Sequence, residues 1–180
     1  LEGLAWNPAT FPQVVRILGQ LSEIEINDNL ANTPIKSLES ILCAWMPQTA
    51  ANYEMRLKAI QMLLKKFPAI GWKVCIQQFG DTRTLLVGSF NYKPKWRLDG
   101  FGFGETFERK EHFHKFVREI VNIALSRPSY TVEMLSDLVA KLPALASEDQ
   151  TRIWNLIQQW HRVNTKDEEL AQMREIIRKK

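Results

Sequence analysis

Between Ala50 and Phe67 the apolar residues recur three and four apart. Tyr53, Leu57, Ile60, Leu64 and Phe67 fall on one stripe, and Glu54, Lys58, Gln61 and Lys65 fall opposite it. That period belongs to an α-helix with one face toward a core, because a strand needs alternation at every second residue. Glu54 precedes Lys58 by one helical turn, the favourable order for an exposed ion pair.

The same period returns along most of the chain, punctuated by proline wherever a helix has to stop. Val14, Val15, Leu18, Leu21 and Ile24 predict a first helix starting near Thr10. There Thr10 would cap, Gln13 would reach back, and Pro12 is tolerated in the first turn. Glu25 to Ile35 reads as a loop, rich in Asn and Asp. Ser37 starts a short helix through Leu38, Ile41, Leu42 and Trp45, which Pro47 ends. After Pro68 a helix runs from about Ala69 to Phe79 and is closed by Gly80. Phe113, Phe116, Val117, Ile120 and Ala124 mark the next, ending before Pro128. Met134, Leu135, Leu138, Val139 and Leu142 follow, ending at Pro143. Ser147 caps a helix containing Ile153, Trp154, Leu156, Ile157 and Trp160, and Thr165 begins the last. In that last helix Asp167, Glu168 and Glu169 open the first turn, with Arg174, Arg178, Lys179 and Lys180 at the end, matching the helix dipole at both termini. The total is about eight helices with mostly short connections, so sequential neighbours are expected to pack antiparallel.

Composition agrees: glycine is scarce, with 8 in 180 residues, which disfavours a turn-rich β architecture. The fold class is therefore all-α, and paired amphipathic helices suit a stacked-hairpin superhelix as well as a compact bundle. No apolar run approaches the roughly 20 residues that span a bilayer, so no membrane partner is expected. The two cysteines, Cys43 and Cys75, lie in apolar helical contexts and read as buried, reduced thiols, the usage of a cytoplasmic protein. The chain opens at Leu1 rather than methionine, as a segment of a longer polypeptide would.

One stretch departs from this pattern. From Gly80 to about Phe107 runs a connection long for a compact domain, and such connections are usually functional. Thr84 to Tyr92 is apolar enough for a short strand or for a segment lying across helices. Lys93 to Glu105, KPKWRLDGFGFGE, then sets Lys93, Lys95 and Arg97 around Trp96, and interleaves Gly100, Gly102 and Gly104 with Phe101 and Phe103. A phosphate cradle needs G-x-x-x-x-G-K-[ST], and these glycines have the wrong spacing, with Glu105 where a cation is wanted. A dinucleotide fingerprint would need a parallel sheet around it. Two readings stand. The basic residues grip phosphate with a base stacked on Trp96, or Trp96 pins the connection to the helices while the cations stay solvated.

Other candidate chemistry is weaker. His112 and His114 are two apart, so on one helix they face different ways and do not chelate a metal together. Glu108 and His112 read as a surface pair, and His161 near a helix end is accounted for by the dipole. The carboxylates are scattered, and neither cysteine has a histidine near it in sequence. No catalytic set, metal site or cofactor is expected. The net charge of +4 permits contact with nucleic acid or with acidic protein surfaces without requiring either.

A set of short strings has a family character. Leu1-Glu2-Gly3-Leu4-Ala5-Trp6 precedes Val14-Val15-Arg16-Ile17-Leu18 and Leu21-Ser22-Glu23-Ile24. Asn32-Thr33-Pro34 with Ser37-Leu38, Trp45-Met46-Pro47-Gln48-Thr49, and Arg56-Leu57 leading to Pro68, Gly71 and Trp72 follow in order. Lys93-Pro94-Lys95-Trp96-Arg97, Arg152-Ile153-Trp154 and His161-Arg162 complete the series. Together they resemble the helical-repeat region that follows the NTPase module in bacterial antiviral STAND-type NTPases. The passage from Val163-Asn164-Thr165 straight into a helix departs from that family's longer, tryptophan-bearing connection.

The resemblance implies a TPR-like α-solenoid of antiparallel hairpins forming one segment over 1–180, with first hairpins over 1–79, a long loop over 80–107 and second hairpins over 108–180. It also implies a non-catalytic sensing or coupling role. The partner would be a protein, either a phage structural protein or neighbouring domains of the parent chain, with Lys93, Lys95, Trp96, Arg97, Phe101 and Phe103 as the contact residues. A basic helical nucleic-acid-binding domain is the alternative, supported by the same motif and by Lys65-Lys66.

Overall fold

The structure, a computed structural model, describes residues 1–24, 33–44, 49–80, 100–101 and 110–179. Among the described residues all regular structure is helical, with nine α-helices, one short 3-10 turn and no strand. The helices are α1 (Glu2–Ala5), α2 (Phe11–Leu21), α3 (Pro34–Leu42), α4 (Tyr53–Lys66), α5 (Pro68–Gln77), α6 (Lys110–Leu125), α7 (Val132–Lys141), α8 (Ser147–Val163) and α9 (Asp167–Arg178). The 3-10 turn, Leu142–Ala144, continues α7 over Pro143. The strand considered for Thr84 to Tyr92 lies outside the described residues, as do Trp45 and Pro47.

Several helix starts differ from the sequence reading for identifiable reasons. Thr10 occupies the N-cap of α2, but its side chain caps nothing. Its hydroxyl donates instead to the carbonyls of Leu4 and Asn7, tying α2 to the short α1 that the apolar period did not reveal. α3 begins at Pro34 rather than Ser37, because Thr33 is the working cap and accepts from the Lys36 N–H at 3.4 Å. Ser37 sits one turn inside, where its hydroxyl bonds the Glu2 carboxylate. Asn52 caps α4 by accepting from Met55 N–H at 2.9 Å, and Thr131 caps α7 by accepting from Met134 N–H at 3.3 Å. Ser147 is the first residue of α8 and not its cap, and the last helix starts at Asp167 rather than Thr165. The stops were better marked: Gly80 follows α5 with φ 74°, a conformation that glycine adopts without the Cβ penalty.

The buried face of α4 is rotated from the predicted stripe. Arg56, Ala59, Ile60 and Leu63 are buried, whereas Tyr53, Leu57 and Leu64 are only half-buried. Arg56 accounts for the shift. It is 1% exposed and reaches to the end of α3, where its guanidinium donates to Ile41 O at 2.7 Å, Cys43 O at 3.2 Å and Thr49 O at 3.1 Å. Carbonyls at a helix C-terminus lack helical partners, so a cation with several donors placed there satisfies them and complements the dipole.

α4 and α5 are separated only by Phe67, and α5 turns back against α4 at Gly71. A Cβ on Gly71 would stand 2.6 Å from the Leu63 carbonyl carbon, so the close approach depends on the missing side chain. Gly19 in α2 plays the same part for Phe67, whose ring would lie 2.7 Å from an added Cβ.

The apolar core is one continuous cluster running from Ala5 to Met173. Substantial packing joins each helix only to its first or second neighbour along the chain. α2 meets α3 and α4, α3 meets α5, α4 meets α5 and α6, α5 meets α6 and α7, α6 meets α8, and α7 meets α8 and α9. No described helix is long and apolar enough to cross a membrane.

Candidate functional site

Of the contact residues proposed from sequence, Phe101 is the one within the described residues. It is 42% exposed and follows Gly100, whose φ is 91° and whose Cα has open space around it. Lys93, Lys95, Trp96, Arg97 and Phe103 lie outside the described residues. So does Glu108, the predicted partner of His112. His112 and His114 are both exposed on α6, and His114 packs edge-on against Phe113 at 5.9 Å. Among the described residues no group of three or more His, Cys, Asp and Glu side chains is placed to hold a metal ion.

Three polar constellations unite residues far apart in sequence. In the first, Trp72 of α5 is 5% exposed and donates its indole N–H to Asp137 of α7 at 2.8 Å. The Arg127 guanidinium lies 5.7 Å from the centre of the Trp72 ring, and Tyr130 meets that ring edge-on at 6.4 Å. Tyr130 donates to Ala124 O at 3.0 Å, and its own carbonyl accepts from the Trp160 indole at 3.1 Å. Burial pushes the Tyr130 phenol above its usual range, and nearby Arg127 opposes that shift. Four elements are thereby locked at one point. The hub holds geometry and offers no open position for a ligand.

The second constellation joins α6 to α8. Asp149, 3% exposed, accepts from Arg152 at 3.0 Å and lies 3.8 Å from Arg118, while Arg118 pairs with Glu148 at 2.6 Å. Arg152 also donates to Asn122 at 2.8 Å. Beside it is a hollow of about 300 Å³ lined by His114, Lys115, Val117, Arg118, Ala144 and Ala146 with Asp149. Its acid and bases are engaged with each other, an arrangement that fastens two helices.

The third is the Arg56 knot. It fastens the 43–49 connection to α4 and leaves the guanidinium without access to solvent.

The cysteines are both buried free thiols. Burial pushes the Cys75 thiol up to about 12, with the charge of Arg127 opposing, so at neutral pH it is neither a nucleophile nor a thiolate ligand. Sequence reasoning missed Arg56, Trp72–Asp137 and Asp149 as organising residues. Only the Arg56 position carried a signal, as a charge interrupting an otherwise apolar helical face.

No protein-family model matches this chain, and neither a curated protein nor a solved structure matches it.

Proposed function

We propose that this chain is a helical-repeat segment of a bacterial antiphage defence NTPase of the STAND type, in a TPR-like superhelical arrangement and a cytoplasmic setting. It contributes a surface for recognising a protein, or for coupling that recognition to the rest of the parent chain, and it supplies no chemistry of its own. One observation carries the reading. Substantial packing confined to first and second neighbours is the pattern of an open stack, and an open stack offers long exposed faces to a partner. The family strings quoted above add the defence context. The polar constellations support the same role, since each fastens helices to one another.

In this reading the connection after α5 projects from the stack, and Trp96 and Arg97 are its anchors, being residue types that dominate interface hot spots. The test is phage protection by the full-length parent protein carrying Trp96→Ala and Arg97→Ala. Protection falls while folding, followed by circular dichroism, is unchanged. Unaltered protection would reassign the connection to packing.

A second reading, a helical nucleic-acid-binding domain, is favoured by exposed Lys65 and Lys66 at the end of α4 and by the net charge of +4. Binding to DNA or RNA that weakens steeply as salt rises would support it, because phosphate contacts release counterions.

A further inference from the structure

α8 and α9 follow one another in the chain, but α9 packs chiefly on α7, with Met173 as its buried residue. The two helices therefore diverge and leave an open groove between them of about 340 Å³. Trp154, Ile157, Gln158, His161 and Arg162 of α8 form one wall, and Ile177 of α9 stands opposite. The α8 positions fall on one stripe, spanning about two turns at 1.5 Å per residue. Ile177 is 38% exposed, and Val163, just beyond the groove, is 78% exposed.

Two further features give the groove a chemical preference. No carboxylate occurs from Arg152 to Lys166, so this part of α8 presents only cationic or neutral groups. Arg162, Arg174 and Arg178 are exposed and enter no ion pair among the described residues. The acids nearby are occupied, Glu169 by Lys166 at 2.7 Å and Glu175 by Lys179 at 3.2 Å. In addition, the half-buried Trp154 has an indole N–H that donates to no group among the described residues, whereas those of Trp72 and Trp160 are both bonded. An apolar floor, an unused donor and an uncompensated cationic rim complement one kind of object: an apolar ridge with acidic residues along its flank. Aromatic and arginine side chains in such a setting are the groups that dominate association energies.

We infer that the α8–α9 groove is a docking site for an amphipathic α-helix of a protein partner, with its apolar stripe on Trp154, Ile157 and Ile177 and acidic residues facing Arg162 and Arg178. This rests on the protein-recognition reading above and assigns a surface to it. A helix suits the groove because the anchors repeat at helical spacing and the described residues contain no sheet edge to pair with an extended peptide.

The test is a display library of helical peptides selected on the purified chain. Enriched peptides carry apolar residues at i, i+3, i+4 and i+7 with Asp or Glu beside them. A synthetic member binds about tenfold or more weakly to Ile177→Asp and to the Arg162→Glu/Arg178→Glu double variant. Circular dichroism confirms that both variants, changed at exposed positions, remain folded. Peptides that bind Ile177→Asp as well as the parent would overturn the groove while leaving protein recognition intact at another surface. So would enrichment of basic peptides, or no enrichment at all. Self-association of the chain that Ile177→Asp abolishes, seen by sedimentation, would overturn the inference in favour of a second copy. Failure of selection together with salt-sensitive nucleic-acid binding would remove the protein-recognition reading as well.

Discussion

Replacing Arg56 by methionine keeps much of the side-chain volume and removes every donor. Three contacts disappear: to Ile41 O at 2.7 Å, Cys43 O at 3.2 Å and Thr49 O at 3.1 Å. Exchanging a buried charge for a hydrophobe can be neutral when the opposing charges leave with it. Here the partners are main-chain carbonyls, which no side-chain substitution takes away. Ile41 O would retain only the long contact from the Thr49 hydroxyl at 3.5 Å. Uncompensated burial of such acceptors costs about 1–3 kcal/mol each, partly relieved by relaxation, so the expected loss is about 3–5 kcal/mol. For a chain of this size that lowers the melting temperature by about 10 °C or more. Arg56→Lys keeps the charge but not the fork, reaches fewer carbonyls at once, and should lie between the two. Urea denaturation gives the free energies, and amide hydrogen exchange localises the effect to the end of α3 and residues 43–49. A methionine variant within about 1 kcal/mol of the parent, with lysine no better than methionine, would refute the reasoning.

Other expectations follow from single features. Gly71→Ala gains up to about 1 kcal/mol of helix propensity. It nevertheless loses stability on balance, by about 2 kcal/mol or more, since the new methyl meets α4 backbone; Gly3→Ala, with open space around it, is neutral or stabilising in the same thermal melts. Cys75 should resist alkylation in the native protein at pH 8 and react fully only in denaturant; rapid native labelling, read by mass spectrometry, would contradict its burial. Glu133 is held below the usual carboxylate range by hydrogen bonds from its own backbone and from Thr131, and Glu169 by Lys166 and Asn164. Carboxyls depressed by folding contribute stability above their unfolded values near 4.5 and lose it as pH falls through the folded values. Stability should therefore decline on the acid side below about pH 4.5, and Glu169→Gln should flatten part of that limb in pH-dependent melts.

Helices were legible wherever their apolar residues and their stops were both local. α5 with Gly80, α6 ahead of Pro128 and α7 ahead of Pro143 needed nothing beyond their own sequence. The errors lie where a distant partner decides the outcome. Thr10 bonds α1 and does not cap α2, and Ser37 bonds Glu2 from inside a helix that Thr33 begins. Arg56 rotates the buried face of α4 because carbonyls of α3 and of the 43–49 connection await it. Trp72 finds its acceptor on Asp137, 65 residues away, and no local pattern encodes that distance. Of the candidate contact residues, Phe101 is placed, exposed as an interface anchor requires. The groove of α8 and α9 was hidden for a related reason. Its residues read as ordinary core positions, and only the docking of α9 on α7 shows that Ile177 and Trp154 are left uncovered.

Packing confined to near neighbours also bears on how the molecule comes into being. As the chain leaves the ribosome, each new helix from α3 onward finds its principal partners among the two helices synthesised just before it. Assembly can then proceed in the order of translation, with little apolar surface left waiting for a segment not yet made.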